Sequence, residues 1–443
     1  MTGRRLTSLL ASVTAAAAGA SLLTGCGVLP GATGGSREPV TVMTWAPDQT
    51  RATNMPGMPA MAQTFARWVN SQGGIDGHEL RVLTCNEQNT PAGAAACARR
   101  AVREGAVAVV GSYSQNGRAF MAPLEAAGIP YIGGYGLTED EFSSHLSYPV
   151  NGGLASLIAG HGMQLAEDCR RVSLVRPDTL AGDRLPRLLD AGLKKQSKRG
   201  AFDIPAVEDA TEYTVQATRA REKAGTEDGC VAAVLGERTQ TFFDSFRRLP
   251  EPVDGSGPND GEGKSEGKGD GKGEGNGESE GSVRISSVLG SVGQPVIDRT
   301  GGARSPFEGA YVTGWYPDAD DKSWEPMRKV IREHAFADNR VDPSDTGVQT
   351  TWIAYTVLKE VVESLDKDVV TARRIAEALD RGAQVDTGGL TPKLRWMYED
   401  LLGAPDFPRI VNHEVTFQVV RKGRLVAQKP GFVDVGPTVT NRG

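Results

Sequence analysis

The chain has 443 residues, of which 39% are hydrophobic and 6% aromatic, and its formal net charge is −6. This length suffices for two domains of ordinary size, and the composition is that of a folded protein with a polar surface. Residues 251–282 hold nine acidic residues and three lysines, so this segment carries the whole net charge. The rest of the chain is neutral overall, which gives no support for a nucleic-acid partner.

The first residues have the order of a secretory signal. Arg4-Arg5 precedes an uncharged, largely apolar stretch, residues 6–23, which leads to small residues and a cysteine. Leu23-Thr24-Gly25-Cys26 resembles the lipobox of bacterial lipoproteins. The resemblance implies that residues 1–25 are a lipoprotein signal peptide and that Cys26 receives the lipid. An ordinary secretory signal with a chance cysteine is the alternative, and the arginine pair leaves export by the twin-arginine route open.

The next part of the chain alternates between strand and helix patterns. Strands are predicted at 40–45, 79–84, 106–110 and 129–132, and helices at 60–71, 91–104 and 117–127. Thr90 and Pro91 are typical of a helix start, and Gly105 of a helix end. A strict strand–helix order predicts a parallel, doubly wound sheet with right-handed crossovers.

The same rhythm then repeats. Helices are predicted at 153–168, 183–195, 214–224 and 239–248, and strands at 171–175, before Glu208, and at 230–235. This part of the chain predicts a second α/β lobe. Beyond it we predict strands at 283–289 and 310–315, helices at 347–364 and 371–381, and a hairpin at 414–427.

Residues 251–282 alternate glycine with charge and contain no apolar residue after Val253. Such a segment cannot bury enough surface to offset the entropy of ordering it, so we predict a disordered insertion. A calcium site is a weaker alternative, because lysines are interleaved and no fixed loop pattern is present. Residues 26–38 are Gly-rich and predict a flexible tether.

Four cysteines remain if Cys26 is lipidated. Cys169 and Cys230 each precede a buried strand, so neighbouring parallel strands would bring them to one end of a sheet. Cys85 ends a strand and Cys97 lies early in the next helix. We therefore predict the disulfides Cys85–Cys97 and Cys169–Cys230, with buried free thiols as the alternative.

Several motifs resemble the branched-chain amino-acid-binding family of type I periplasmic binding proteins. They are a helix ending at Asn70, the run Gly73–Gly77, Asn89-Thr90-Pro91, Val109-Val110-Gly111 and Ala127–Pro130, with later echoes at 308–313 and 385–388. The resemblance covers about residues 38–428 and is most specific in the first lobe.

The resemblance implies two doubly wound α/β lobes joined by three hinge strands, with ligand bound between them. Lobe 1 would comprise 39–149 and 314–392, lobe 2 would comprise 150–313 and 393–430, and 431–443 would form a tail. A cleft of this kind closes by hinge motion and buries its ligand at strand carboxyl ends.

The resemblance also implies ligand-binding positions in the loops that follow the strands. These positions are Ser112, Tyr113, Ser114, Gln115, Tyr135, Thr138, Asp178, Glu237, Arg238 and Trp315. Two of them carry alternatives: Ser114 could belong to a plain helix-capping loop, and Trp315 to ordinary core packing.

The charge of the ligand is predicted from three positions. Arg238 falls where the family binds an ammonium group, while Ala181 and Gly290 replace an aromatic residue and an acid. An anionic or neutral polar ligand therefore fits better than an aliphatic amino acid, unless the neighbouring Glu237 takes the cationic group.

We expect an extracytoplasmic lipoprotein on the outer face of the cell membrane that binds a small polar ligand for an ABC importer. A ligand-sensing lipoprotein without a transport role, and an extracellular hydrolase, are the alternatives. No metal-ligand spacing, nucleophile elbow or phosphate-binding loop is present in the sequence. We expect no enzyme activity, no metal, no cofactor, and a monomer.

Overall fold

The computed structural model describes residues 37–440 except 52, 180, 226–227, 251–282 and 366–368. The predicted signal peptide, the lipidation of Cys26, most of the tether and the predicted insertion at 251–282 lie outside the described residues. In the part of the chain that is described, no helix is both long enough and apolar enough to cross a bilayer.

Lobe 1 is built on a parallel five-stranded sheet with the order β2-β1-β3-β4-β5. Its strands are β1 (Arg37–Ala46), β2 (His78–Asn86), β3 (Ala108–Val110), β4 (Tyr131–Ile132) and β5 (Ser147–Tyr148). The helices between them are α1 (Gly57–Ser71), α2 (Pro91–Arg103), α3 (Gly117–Ala127) and α4 (Asp140–Ser143). β1 is buried without interruption from Val42 to Ala46, because helices cover both faces of a parallel sheet.

Lobe 2 begins with α5 and continues the strand–helix alternation. Its helices are α5 (Gly153–Asp168), α6 (Leu185–Lys194), α7 (Thr214–Ala224), α8 (Thr239–Arg247) and α9 (Gln294–Arg299). Its parallel strands are β6 (Arg171–Pro177), β7 (Phe202–Ala206), β8 (Gly229–Ala233), β9 (Arg284–Val288) and β10 (Tyr311–Gly314). The sheet order is β12-β11-β10-β9-β8-β6-β7, in which β11 (Glu414–Arg421) and β12 (Arg424–Ala427) run antiparallel to their neighbours.

The chain then returns to lobe 1 and crosses once more. Lobe 1 gains α10 (Glu325–His334), α11 (Thr346–Ser364) and α12 (Ala372–Asp380), and lobe 2 gains β11 (Glu414–Arg421), β12 (Arg424–Ala427), β13 (Val433–Asp434) and α13 (Gly436–Thr440). The connections β5–α5, β10–α10 and α12–β11 join the lobes. Two doubly wound lobes with three connections confirm the predicted fold class.

Local chemistry explains where the helices start. Thr90 caps α2 by accepting a hydrogen bond from the Gly93 backbone N–H at 3.0 Å, and Pro91 follows in the first turn. Asp345 caps α11 in the same way, through the Val348 N–H at 2.9 Å. The predicted strands and helices are present, with ends within three residues of the expected positions.

Two boundaries differ from the prediction. Residues 433–440 are not a separate tail, because β13 pairs with β11 at Glu414 and Val415 and α13 packs on α5 and α6. The segment after 392 also stays with lobe 1 before it crosses. Leu394 bridges to Val385, and Trp396 donates a hydrogen bond to the Pro149 carbonyl at 2.9 Å.

Both predicted disulfides are present, Cys85–Cys97 and Cys169–Cys230, each with a Cα–Cα distance of 5.8 Å. The second joins the end of α5 to β8, and Cys230 lies opposite Val172 of β6 in the sheet. Cys169 and Cys230 thus meet at one end of neighbouring parallel strands, as predicted.

Candidate functional site

The carboxyl ends of the strands in both sheets open onto one cavity of about 390 Å³ between the lobes. Lobe 1 contributes the loops after β1, β3 and β4, and lobe 2 contributes the loops after β6, β7, β8, β9 and β10. Ligands of open α/β sheets bind at this end, where loops rather than packed strands form the surface. The cavity is the candidate functional site.

Three aromatic side chains form a continuous wall of the cavity. The ring centroids of Tyr113 and Tyr135 are 5.1 Å apart, and those of Tyr135 and Trp315 are 5.2 Å apart with nearly perpendicular planes. The Trp315 indole is locked by its hydrogen bond to the Gly153 carbonyl at 2.9 Å. This aromatic wall offers a rigid surface against which a ring or an apolar body can pack.

Most of the remaining lining is aliphatic. The apolar members are Met55, Leu137, Leu154, Leu157, Pro177, Ala181, Leu185, Val234, Leu235, Val288 and Leu289. Thr53, Gln115, Thr138, Thr179 and Ser291 add polar groups. Glu208 is the one charged residue in the described lining; it is exposed by surface area, and its partial desolvation, followed by the charge of Asp209, raises its pKa. The cavity is therefore mainly apolar, with a few polar positions.

A buried carboxylate shapes the loop after β4. Glu141 Oε1 accepts hydrogen bonds from the backbone N–H groups of Leu137 at 3.0 Å and Thr138 at 2.9 Å, and from the Thr138 hydroxyl at 3.0 Å. Its Oε2 accepts from the Gly136 N–H at 3.1 Å. Burial raises the pKa of Glu141, and these hydrogen bonds work against that rise. The contacts hold Leu137 and Thr138 in place along the cavity.

A second buried carboxylate organises the loop after β3. Ser114 donates its hydroxyl hydrogen to Glu87 Oε2 at 3.0 Å, and the Ser114 oxygen accepts from the Asn116 N–H at 3.0 Å. The Ser112 oxygen accepts from the Trp45 N–H at 3.1 Å. Both serines are buried and use their hydroxyls inside lobe 1. Ser114 therefore contacts Glu87 and the residue that precedes α3, and it does not line the cavity.

Tyr135 has a different environment. Its side chain is only 4% exposed, and its hydroxyl has no hydrogen-bond partner within the described residues. A Cβ atom built on Gly290 would lie 2.5 Å from this oxygen, so the hydroxyl reaches the lobe 2 side of the cavity. Burial, with smaller contributions that include the charge of Asp345, raises the pKa of Tyr135 well above its usual value. The group is therefore a neutral, buried hydroxyl at the boundary between the cavity wall and lobe 2.

Two polar contacts join the lobes at the edge of the cavity. The Asn54 N–H donates a hydrogen bond to Glu237 Oε1 at 3.2 Å. Glu139 and Arg184 form an ion pair. Asn54 and Glu139 belong to lobe 1, whereas Glu237 and Arg184 belong to lobe 2. These rim contacts hold the two lobes together over the cavity.

The structure divides the ten predicted ligand positions into two equal groups. The residues that line the cavity are Tyr113, Gln115, Tyr135, Thr138 and Trp315. The residues outside its lining are Ser112, Ser114, Asp178, Glu237 and Arg238. Asp178 is exposed and pairs its N–H with the Ala206 carbonyl. The charge of Arg238 acts on the Tyr213 hydroxyl, which donates to the Val207 carbonyl rather than facing the cavity.

The lobe 2 lining was largely missed. Glu208, Leu235, Leu289 and Ser291 each follow a parallel strand, and the rule that sites form at the carboxyl ends of such strands could have identified them. Ala181 and Gly290 do line the cavity, as the resemblance implied for their positions. No group of three or more metal-ligating side chains is brought together in the residues described.

Comparison with known proteins agrees with this geometry. A family model described as periplasmic binding protein matches residues 50–249. No curated protein matches the chain.

Three of the similar solved structures are transporter-associated binding proteins. A branched-chain amino acid ABC transporter protein from Thermus thermophilus with bound valine has a TM-score of 0.67 at 13% identity, covering 90% of this chain and 97% of its own. A fatty acid ABC transporter substrate-binding protein from Thermomonospora curvata has a TM-score of 0.66 at 13% identity, and the match covers 91% of this chain and 95% of that one. A solute-binding protein from R. palustris in complex with 4-hydroxybenzoate has a TM-score of 0.65 at 12% identity, and the match covers 89% of this chain and 97% of that one. The predicted resemblance to the type I periplasmic binding proteins is confirmed.

Proposed function

We propose that this chain, whose fold is that of the type I periplasmic binding proteins, is an extracytoplasmic solute-binding protein. It captures a small molecule in the cavity between its lobes and delivers it to an ABC permease in the membrane. The observation that carries the proposal is the 390 Å³ cavity, which the strand ends of both lobes line together.

The cavity suits reversible capture. Separation of the lobes about the three connections would expose its lining, and closure would restore the rim contacts Asn54–Glu237 and Glu139–Arg184. Because Leu154, Leu185 and Leu289 lie in the lining, closure on an apolar ligand would also remove apolar surface from water. The ligand would thus stabilise the closed form, which is the form that a permease can distinguish from the open one.

The fold does not select the ligand. The similar solved structures include proteins for valine, 4-hydroxybenzoate and fatty acids, at 12–13% identity to this chain. Ligand choice therefore depends on the side chains that line this particular cavity.

A thermal-shift screen with small solutes tests the proposal. A ligand present at about 100 times its Kd adds about 2.7 kcal/mol to the stability of the folded state. Ala181→Trp serves as the control, because Ala181 is exposed yet borders the cavity, so a large side chain there would fill the site without disturbing the core. Solutes that stabilise the wild type and not Ala181→Trp support capture in the cavity.

Equal stabilisation of both proteins would contradict the assignment of the cavity as the binding site. For solutes that pass this test, uptake into cells that carry or lack the chain examines the transport step. Uptake that is the same in both strains would favour a ligand-sensing role.

A further inference from the structure

The lining of the cavity narrows the chemical class of its ligand. We infer that the cavity takes an uncharged or positively charged molecule with an apolar, ring-sized body and a hydrogen-bond acceptor for the Tyr135 hydroxyl. This inference rests on the proposed function and specifies its ligand.

The Tyr135 hydroxyl lacks a hydrogen-bond partner among the described residues. A buried hydroxyl without a hydrogen-bond partner is costly, and a ligand that supplies an acceptor removes this cost. Tyr135 is 4% exposed, reaches across to Gly290 and has no partner among the described residues. The aromatic contacts to Tyr113 and Trp315 fix the ring, so the hydroxyl cannot turn elsewhere to find an acceptor.

An acidic side chain lines the cavity, and others lie behind its aromatic wall. Glu208 is the charged residue of the described lining, and no lysine or arginine is found there. Behind the aromatic wall lie Glu87 and Glu141, whose charges act on Tyr113, and Asp345, whose charge acts on Tyr135. Within this lining an anion would meet no cationic side chain, whereas a cation would meet Glu208 and the faces of aromatic rings.

Two arginines, Arg118 and Arg184, line a neighbouring cavity and not this one. Arg184 pairs with Glu139 at the rim. Arg238, the expected partner of an anionic ligand, lies outside the lining and acts on Tyr213. The prediction was an anionic or neutral polar ligand; we retain the neutral class and replace the anionic class with a cationic one.

Two matched sets of probes separate the charge classes. The first set is 4-hydroxyphenylacetamide, tyramine and 4-hydroxyphenylacetate, and the second is 5-hydroxyindole-3-acetamide, 5-hydroxytryptamine and 5-hydroxyindole-3-acetate. Within each set the ring is constant and the side group is neutral, cationic or anionic. We expect the amide or the amine to bind at least tenfold more tightly than the carboxylate by calorimetry.

Tyr135→Phe tests the hydroxyl itself through two readouts that move in opposite directions. Affinity for the bound amide or amine should fall about fivefold, as expected for one lost hydrogen bond. The melting temperature without ligand should stay equal or rise, because an unpartnered buried hydroxyl has been removed. Tyr113→Phe is the matched control: its hydroxyl accepts a hydrogen bond from Gln115 at 3.2 Å, so its removal should lower the melting temperature.

Preferential binding of the carboxylates, or no binding of any amide or amine, overturns the inference. So does a Tyr135→Phe variant that is destabilised as much as Tyr113→Phe. If the carboxylates bind and Ala181→Trp abolishes their binding, the proposed function stands and only the ligand class is wrong. Binding that persists in Ala181→Trp contradicts the proposed function instead.

Discussion

The backbone N–H of Asn54 donates a hydrogen bond across the cleft to Oε1 of Glu237, over 3.2 Å. Asn54 follows β1 of lobe 1, and Glu237 follows β8 of lobe 2. Together with the Glu139–Arg184 ion pair, this bond places specific polar contacts at the edge of the cavity and leaves the interior mainly apolar. In the proposed function the rim residues thus act in closure, while residues of the lining contact the ligand from both lobes.

Removal of the rim contacts should favour the open form. We expect the double variant Arg184→Ala/Glu237→Ala to have a larger radius of gyration without ligand and a ligand affinity lowered up to about thirtyfold, since each of the two exposed contacts contributes about 0–1 kcal/mol. Small-angle X-ray scattering and calorimetry measure the two effects. Arg373→Ala removes a surface ion pair within α12 and should change neither; an equal effect in this control would contradict a closing role for the rim.

Gly290 should be sensitive to substitution in a way that depends on Tyr135. Its φ is +92°, and an added Cβ would lie 2.5 Å from the Tyr135 hydroxyl. Gly290→Ala should therefore cost more stability than Gly309→Ala, where φ is +79° and nothing lies within 4 Å. In a Tyr135→Phe background the nearest ring atom is 3.6 Å away, so the two alanine variants should cost about the same. Denaturant titration of the wild type, the three single variants and the two double variants measures these losses. If Gly290→Ala costs the same stability with and without the Tyr135 hydroxyl, the close approach is unimportant.

The buried histidine of lobe 2 should make the fold sensitive to acid. His161 contacts Thr313 Oγ1 at 3.0 Å and Ser286 Oγ at 3.2 Å, and burial lowers its pKa to about 3. The pKa of His161 in the unfolded chain is about 6.5, so between this pH and the lower pKa of the folded state only the unfolded chain binds the proton. The contribution of His161 to stability is therefore fully present above pH 6.5 and is lost as the pH falls. The loss is about 2 kcal/mol between pH 6.5 and pH 5.

The measurement is the difference in unfolding free energy between His161→Gln and the wild type across this range. We expect the difference to shrink as the pH falls, because only the wild type loses the contribution of the neutral imidazole. A difference that is constant with pH would mean that His161 takes up a proton as readily in the folded protein as in the unfolded chain.

The two disulfides should contribute unequally. Cys85–Cys97 closes a loop of 12 residues and Cys169–Cys230 one of 61. The chain-entropy model gives a stabilisation of about 3 kcal/mol for the first and about 4 kcal/mol for the second. Paired Cys→Ala variants compared by guanidinium denaturation measure both losses. A larger loss for Cys85→Ala/Cys97→Ala would show that contacts in the folded state, and not loop closure, dominate.

Lipid anchoring rests on the sequence before the described residues. Cys26 follows Leu23-Thr24-Gly25 at the end of an apolar stretch. We expect the wild type to fractionate with membranes and Cys26→Ala to be released, because one lipid-bearing residue supplies the anchor. Fractionation compares the two proteins, and Cys85→Ala/Cys97→Ala is the control for loss of cysteine alone. Retention of Cys26→Ala on membranes to the wild-type extent would contradict the lipoprotein prediction.

The sequence predicted which loops lie at the cavity but not which of their side chains line it. Ser114 and Tyr135 both occupy loops that follow buried strands, and both were predicted to bind ligand. Ser114 is turned away from the cavity because its hydroxyl donates a hydrogen bond to Glu87, which lies 27 residues earlier in the chain. Tyr135 lines the cavity, and its hydroxyl has no such partner among the described residues. Arg238 was misplaced for a similar reason, because a loop position alone does not determine which side chain points inward.

The sequence by itself determined the order of strands and helices, the parallel sheets and both disulfide pairings. These follow from short-range physics: buried strands read as apolar runs, caps and glycines mark helix ends, and cysteines beside neighbouring strands meet at one sheet end. Only the tertiary structure decided the charge and polarity of the cavity and the rim contacts that close it. Those properties arise where eight loops from two lobes meet, and the direction of each side chain there is set by partners far away in the chain.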